Sequence, residues 1–161
     1  MKKLLVVLSL WLAVENAFAV ELESMGKAVS GILGTSKAKT KQVNDSVDTV
    51  PVFFTSTGKP DKYVFVEKGI YPPSCTHTWV IGISAATGKV TEVRVNEMSC
   101  PHAFPTRTAS FLDQFKGKGP ADVATLEAKV NIVAKATGSS KLAATAVKRA
   151  ITAYAKNKSG I

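Results

Sequence analysis

The amino-acid sequence predicts an α+β fold, in which a twisted, mostly antiparallel sheet carries packed helices in a single domain behind a signal peptide. Two observations lead to this prediction. The middle of the chain alternates runs rich in β-branched and aromatic residues with short turn-forming stretches, as antiparallel hairpins do. The stretch from Lys141 to Ala155 is dominated by Ala, Leu, Lys and Arg and contains no Gly or Pro, as a strong helix does.

The N-terminal residues have the three parts of a secretory signal. Lys2 and Lys3 form a basic start, residues 4–14 form an apolar run too short to span a bilayer, and residues 17–19 form a small-x-small cleavage site. We therefore expect residues 1–19 to be removed and the mature chain to work in the periplasm or elsewhere outside the cytoplasm, without a transmembrane span. An uncleaved anchor is the alternative, and Glu15, directly after the apolar run, argues against it.

The chain is strongly basic. Its formal net charge is +9, of which the signal contributes +1, so the mature domain carries +8. No helix has a nucleic-acid recognition pattern and no aromatic–basic stacking platform is evident, so we expect no nucleic acid as partner. The charge suits an acidic protein partner or an anionic membrane surface, or it serves solubility alone.

Residues 20–48 are predicted to form an N-terminal helix and a polar linker. The apolar side chains between positions 21 and 33 recur with the period of a helix, and Gly34 is expected to end that helix. Residues 35–48 are polar and lysine-rich, which is typical of a loop or a mobile segment. The domain proper is predicted to span residues 49–161.

Two hairpins are expected in the first half of that domain. The first joins residues 50–55 to residues 63–67 through a turn, and the second joins residues 76–84 to residues 90–96. Two consecutive prolines predict an irregular crossing at residues 70–74. The later elements are predicted as a loop at 97–105, a helix at 106–115 capped by Thr108 with Phe111, Leu112 and Phe115 facing the core, a short helix at 121–127, and an extended stretch or strand at 130–133.

A hydroxyl-rich turn precedes the last helix. Gly138 allows a sharp bend, and Ser139 or Ser140 is a natural N-cap. A helix start offers free N–H groups and the positive end of the helix dipole, so it favours an anion, and Thr137 would place a hydroxyl beside it. The simpler interpretation is a capped amphipathic helix whose packing face contains Leu142, Thr145, Ala146, Arg149, Ala150 and Ala153.

This stretch resembles the FMN-binding domain found in the flavin subunits of sodium-pumping and Rnf-type electron-transport complexes. That family carries an Asp-x-x-Ser/Thr-Gly-Ala-Thr motif followed by a helix. Here Asn131 stands at the Asp position, Ala134 at the Ser/Thr position and Lys135 at the Gly position, while Ala136 and Thr137 match. The order of elements from about residue 75 to residue 151 is similar as well.

The resemblance implies that FMN is linked to Thr137 through a phosphoester bond, with Lys135 near the phosphate. It also implies a flavin transferase for maturation and a redox partner such as a c-type cytochrome or a membrane oxidoreductase. Its flavin-contacting loop would correspond to residues 97–105, where Pro101 is the clear match. The residues expected to hold the cofactor are Asn131, Lys135, Ala136, Thr137, Gly138, Ser139, Ser140, Cys100, Pro101, His102, Phe104 and Thr106.

The two Cys and two His residues fall in two copies of a Cys-x-His pattern, Cys75-Thr-His77 and Cys100-Pro-His102. The copies lie at the outer ends of the second predicted hairpin, so the two cysteines can meet. An even Cys count outside the cytoplasm favours a Cys75–Cys100 disulfide. The alternative is a Cys₂His₂ zinc site made of all four residues.

Stand-alone enzyme motifs are absent: the sequence has no Gly-x-Ser-x-Gly, no Walker loop and no Gly-x-Gly-x-x-Gly. Together with the resemblance to the FMN-binding family, this implies an electron-transfer carrier rather than an enzyme. The alternative is a basic extracytoplasmic binding or adaptor protein that has the same fold without the flavin, an interpretation motivated by Ala134 and Lys135.

Overall fold

The computed structural model describes residues 22–161, so the predicted signal peptide lies outside the described residues. The fold is α+β, as the sequence predicts. Five antiparallel strands form one open sheet in the order in which they occur along the chain. The strands are β1 Ala38–Asn44, β2 Thr49–Thr55, β3 Lys62–Tyr71, β4 Cys75–Ser84 and β5 Val90–Met98.

Four α-helices and three short 3₁₀ segments complete the domain. The helices are α1 Met25–Leu33, α2 Ala109–Leu112, α3 Leu126–Lys129 and α4 Thr137–Asn157, and the 3₁₀ segments are Pro101–Arg107, Asp113–Phe115 and Pro120–Asp122.

Helices cover both faces of the sheet. Successive side chains of a strand point to opposite faces, so Val64 and Val80 pack against α1, whereas Phe65, Trp79 and Ile81 belong to the larger core beneath α4. The central strands β3 and β4 are consequently buried on both faces. This arrangement brings the start of α4 to the end of the sheet where β3 turns into β4.

Helix α1 begins and ends at residues that suit those positions. The Ser24 hydroxyl accepts a hydrogen bond from the backbone N–H of Lys27, which satisfies one of the free donors of the first turn. Gly34 adopts a left-handed conformation with φ of 71° and donates its N–H to the Ser30 carbonyl. The predicted end of this helix at Gly34 is therefore confirmed.

The prediction of a polar loop over residues 35–48 is wrong, because β1 lies within this stretch. Strand β1 pairs with β2 along its whole length and forms one edge of the sheet. Only Val43 is buried in it. An edge strand can remain polar and lysine-rich because one side of its backbone and most of its side chains face water, so β1 lacks the alternation that identifies a half-buried strand.

The two predicted hairpins are present, but strand β3 extends further than expected. It continues through Ile70 to Tyr71, and Tyr71 pairs with Cys75 across the β3–β4 turn. The prolines at positions 72 and 73 fall in that turn, where a missing N–H costs no ladder hydrogen bond. The predicted irregular crossing at 70–74 is thus confined to residues 72–74.

The segments between β5 and α4 are more irregular than predicted. Glu97 and Met98 still belong to β5. Thr108 caps α2 through its hydroxyl, and Phe111, Leu112 and Phe115 are buried, both as predicted. The single helix expected at 106–115 is divided into the end of one 3₁₀ segment, the short helix α2 and a second 3₁₀ segment. The helix expected at 121–127 is divided into a 3₁₀ segment and the short helix α3, and residues 130–133 belong to neither a helix nor the sheet.

Helix α4 begins at Thr137, earlier than the predicted start at Lys141. Ser139 and Ser140 therefore lie inside its first turn and do not cap it, in contrast to the prediction. The buried face is also broader than expected, and Leu142 lies at its margin rather than in its centre. The buried residues are Ser139, Ser140, Ala143, Ala144, Ala146, Val147, Ala150, Ile151, Ala153 and Tyr154.

Candidate functional site

A cleft of about 340 Å³ opens where three elements meet: the turn between β3 and β4, the start of the 3₁₀ segment 101–107, and the N-terminus of α4. The volume is near the lower end of the range for small-molecule sites, about 300–1,000 Å³. Residues from both halves of the domain line it. They are Tyr71, Pro72, Cys75, Cys100, His102, Ala103, Lys135, Ala136, Thr137, Gly138 and Ser139.

The N-terminus of α4 faces this cleft without a side-chain cap. Ala136 occupies the N-cap position and provides no side-chain hydrogen bond. The Ser140 N–H donates to the Ala136 carbonyl at 2.9 Å, whereas within residues 22–161 no protein group accepts from the N–H groups of residues 137–139. These donors and the positive end of the helix dipole together favour an anion.

The first turn of α4 carries three hydroxyl groups, and only one is free to react with a ligand. Ser139 is 7% exposed and hydrogen-bonds to His77, and Ser140 is fully buried. The Ser140 hydroxyl donates to the Ala136 carbonyl and accepts from the Val133 N–H. Thr137 is exposed, and among the described residues its hydroxyl has no hydrogen-bond partner. Thr137 is thus the accessible nucleophile of this turn.

His77 connects the sheet to the start of α4. Its Nδ1 lies 3.1 Å from the Cys75 carbonyl, which can only accept, so Nδ1 carries the proton. Its Nε2 then accepts from the Ser139 hydroxyl at 3.1 Å. Burial lowers the pKa of His77, which favours this neutral form. The ring stacks on Trp79 with centroids 5.4 Å apart, so it holds a fixed orientation.

Lys135 has a backbone conformation that favours glycine. Its φ is 65°, in the left-handed region that a side chain with a Cβ adopts at a cost. Lys135 stands at the position of the Gly in the FMN-binding motif. The difference from that motif therefore concerns the side chain, while the backbone takes the conformation that a Gly would accommodate. Lys135 is exposed and lines the cleft.

Gly138 allows an aromatic ring to pack directly on the first turn of α4. A Cβ atom at this position would overlap the Tyr71 ring. Tyr71 is nonetheless 47% exposed, so much of its ring faces the cleft and solvent. Tyr71 was not among the residues expected at the site, because residues 70–74 were predicted to form an irregular crossing. The signal that could have identified it is its position four residues before Cys75, across a proline turn.

The structure confirms the predicted Cys75–Cys100 disulfide, with the two Cα atoms 5.3 Å apart. Both cysteines line the cleft and are partly exposed. The disulfide leaves no thiolate for a Cys₂His₂ metal site, and His77 Nε2 is engaged with Ser139. The zinc alternative therefore does not fit the oxidised protein.

Five of the expected cofactor residues do not line the cleft. Thr106 is fully buried and donates its hydroxyl to the Ala103 carbonyl at 2.7 Å, and Ser140 is buried as described above. Phe104 packs under the Arg107 guanidinium, 4.7 Å from the ring centroid. Asn131 lines a different cleft beside Gln114. Pro101 begins the 3₁₀ segment without reaching the cleft. These five residues are close along the chain to residues that line the cleft, yet they do not face it.

A second cluster of charged residues surrounds Arg149, two to three turns further along α4. The guanidinium contacts the buried carboxyl groups of Asp45 and Glu67, the latter at 3.2 Å, and the exposed Asp48 at 3.4 Å. Burial raises the pKa of Glu67 to about 8, and the nearby Asp45 carboxylate adds to this effect. Backbone N–H groups of Asp48 and Val47, together with Arg149, lower the pKa of Asp45 although burial opposes this. One carboxyl group is thus neutral and the other is ionised.

A cleft of about 470 Å³ borders this second cluster and is larger than the one at the start of α4. Its lining residues include Gln42, Asp48, Lys68 and Arg149. Arg149 is already bonded to carboxyl groups of the protein, and no described helix N-terminus opens into this cleft. We therefore assign the candidate functional site to the smaller cleft.

No protein-family model, no characterised protein and no solved structure matches this chain. The resemblance to the FMN-binding family consequently rests on the sequence motif and the order of elements alone. Among the described helices, none combines the length and the apolar character that a membrane span requires.

Proposed function

We propose that this protein is an extracytoplasmic electron-transfer flavoprotein that carries FMN through a phosphoester bond to Thr137. The observation that carries the proposal is the first turn of α4. Thr137 is its only accessible hydroxyl among the described residues, and it lies next to N–H groups that have no protein acceptor.

The charge of this region fits a phosphate ester. The N–H groups of residues 137–139 and the helix dipole favour the phosphate oxygens, and the ammonium group of Lys135, which lines the cleft, can pair with them as a point charge. The left-handed backbone at Lys135 directs the chain into the helix, in the place where the family motif has glycine.

The remaining walls of the cleft suit a flat aromatic ring system. The exposed face of Tyr71 and the side chain of His102 border the cleft, and the Cys75–Cys100 disulfide lies on its wall. FMN, when bound, would supply the redox chemistry. The contribution of the chain is to bind the phosphate, to orient the ring against Tyr71 and to exclude water from one side of it.

Maturation would require a flavin transferase, and the carrier would exchange electrons with a partner such as a c-type cytochrome or a membrane oxidoreductase. The net charge of +8 that remains after removal of the signal favours a partner with an acidic docking surface. Location in the periplasm follows from the signal peptide and forms part of the proposal.

The test is the intact mass of the protein purified from the extracytoplasmic fraction of its host, measured in denaturing solvent. We expect the mass of residues 20–161, less two hydrogens for the disulfide, plus FMN less one water. Thr137→Val should lose the flavin completely while remaining folded, because it replaces only the hydroxyl with a methyl group. Thr137→Ser should retain flavin.

Ser139→Ala and Ser140→Ala are the matched controls, since both remove a hydroxyl from the same turn. Both should still carry covalent FMN. Covalent flavin in Thr137→Val would refute the attachment site. An unmodified wild-type protein that still binds FMN reversibly would favour a non-covalent carrier. A wild-type protein without affinity for FMN would leave the flavin-free adaptor as the better description.

A further inference from the structure

The Cys75–Cys100 disulfide lies on the wall of the cleft rather than inside the core. Both cysteines are partly exposed, and both line the same cleft as Thr137 and Lys135. A thiol group of another molecule can therefore reach it without unfolding the domain. Access of this kind is the first requirement for thiol–disulfide exchange.

The sheet does not depend on this disulfide for its pairing at this end. Next to it, the Thr76 N–H donates to the Ser99 hydroxyl at 2.7 Å, and the Ser99 N–H donates to the Thr76 carbonyl at 3.0 Å. The Thr76 hydroxyl also donates to Glu97 at 2.8 Å. None of these hydrogen bonds involves a sulfur atom, so opening the disulfide removes none of them directly.

His77 holds the Cys75 side of the cleft in place in both redox states. Its Nδ1–H bonds the Cys75 backbone carbonyl rather than the sulfur, and its Nε2 anchors the first turn of α4 through Ser139. Reduction therefore leaves this connection intact. The Cys100 side leads into the irregular segment 101–107, which can accommodate the separation of the two sulfur atoms.

The surroundings of the disulfide stabilise a thiolate. The uncapped start of α4 and Lys135 border the same cleft, and no described carboxylate lines it; the Glu97 carboxylate beyond Thr76 is bonded by the hydroxyl groups of Thr76 and Thr78. A helix N-terminus and a nearby cation are the features that favour the thiolate form of a cysteine. A thiolate released from this disulfide is consequently a good leaving group.

From these four observations we infer that Cys75–Cys100 is a redox-active disulfide that exchanges two electrons with a dithiol. A thiolate of the dithiol attacks one sulfur and forms a mixed disulfide, and the other cysteine leaves as a thiolate and takes up a proton. The second thiol of the dithiol then displaces the remaining cysteine. The dithiol is oxidised to a disulfide, and Cys75 and Cys100 are both reduced to thiols. The inference does not use the flavin.

The test is reduction of the folded full-length protein, in flavin-loaded and flavin-free forms, by dithiothreitol and by glutathione. Free thiols are alkylated at intervals and counted by mass. We expect reduction of both cysteines under native conditions, with an unchanged circular-dichroism spectrum. A disulfide that reacts only after denaturation would overturn the inference.

Two charge variants examine the role of the cleft. Lys135→Glu should slow reduction by anionic glutathione about threefold to tenfold, because it repels the attacking thiolate. Lys141→Glu is the matched control: it makes the same change of charge on an exposed residue of α4 that does not line the cleft, and it should leave the rate unchanged. Equal slowing in both variants would show that net charge, rather than this cleft, sets the rate.

A trapping experiment keeps the conclusion independent of reduction rates. Cys75→Ala and Cys100→Ala each leave a single thiol in the cleft. We expect at least one of them to form a stable mixed disulfide with oxidised glutathione while folded. If neither variant forms it, no sulfur of this pair is accessible and the inference fails. The charge and trapping variants are measured on flavin-free protein, in which the cleft is open, so the outcome of Thr137→Val does not enter these results and the two proposals can fail separately.

Discussion

The two ends of helix α4 differ in how their polar groups are satisfied. At its start, the N–H groups of residues 137–139 have no acceptor within residues 22–161, the Thr137 hydroxyl is exposed, and the Tyr71 ring packs beside it at the cleft. Its later turns are bonded on several sides. Tyr154 donates to the Ala85 carbonyl at 2.7 Å, and Asn157 donates to the Asn44 carbonyl at 3.0 Å.

The two ends of α4 therefore have different roles: its later turns stabilise the fold, and its first turn is available to bind a ligand. Polar groups that are paired inside the protein hold the fold, because leaving any of them unpaired would cost free energy. Donors that have no protein partner at a cleft are available to a ligand. Conservative changes near Arg149 should therefore affect unfolding, whereas conservative changes near Thr137 should affect flavin binding.

The largest effect is expected for Arg149→Met. It would leave the buried, ionised carboxylate of Asp45 without its counter-ion, which typically costs about 3–5 kcal/mol of unfolding free energy, and it would remove the guanidinium contact of Glu67. Lys148→Met is the matched control: it removes a neighbouring cation whose partner, Glu127, is exposed, and it should cost less than about 1 kcal/mol. Urea denaturation measures both. Similar losses of unfolding free energy in the two variants would mean that the contacts of Arg149 with the buried carboxyl groups do not stabilise the fold.

A pH titration of stability tests the same cluster. Glu67 has a pKa of about 8 in the folded protein against 4.5 when unfolded, so the folded state binds more protons between these values. The unfolding free energy should therefore fall as pH rises through this window, by up to about 1.4 kcal/mol per pH unit.

Glu67→Gln keeps the shape of this side chain and removes its titration, so this decline should disappear in urea denaturation curves measured between about pH 5 and about pH 8. The unfolding free energy of this variant should then rise with pH, because the titration of His77 acts in the opposite direction. Because burial lowers the pKa of His77 from 6.5, the unfolded state binds its proton more readily, and stability falls as pH decreases through that value. Parallel curves for wild type and variant would contradict the assignment of a neutral Glu67.

A smaller effect is expected for Gly138→Ala at the start of α4. The added methyl group would overlap the Tyr71 ring and displace it, at a cost of about 1–3 kcal/mol. Gly26→Ala is the matched control, because no atom lies within 4 Å of a Cβ at that position in α1, and it should stabilise the protein by roughly 0.5–1 kcal/mol through helix propensity.

The double variant Gly138→Ala/Tyr71→Ala should recover most of the stability lost in Gly138→Ala, because the ring that the methyl group displaces is absent. Flavin attachment should be impaired in the double variant, because the Tyr71 side of the cleft is missing. Thermal unfolding and intact mass measure these two effects separately. Additive losses in the double variant would show that Tyr71 and Gly138 do not contact each other.

The candidate site could be predicted from the sequence only in part. The hydroxyl-rich turn, the Cys-x-His pairs and the helix were recognisable because each is local in the chain. Asn131, Phe104 and Thr106 follow the same motif or loop, yet they face other surfaces, since a few degrees of backbone rotation decide which way a short irregular segment points. Tyr71 joined the site only because β3 extends to the β3–β4 turn.

The sequence by itself determined the fold class, the central hairpins, the end of α1 at Gly34 and the pairing of Cys75 with Cys100. These features depend on periodicity, turn chemistry and the short path between neighbouring strands. Only the tertiary structure decided that the lysine-rich segment before β2 is an edge strand, that Ser139 and Ser140 are buried, and that Thr137 remains exposed. Helix α4 can be rotated about its axis without changing its local sequence signals, and packing against the sheet selects which hydroxyl faces the cleft.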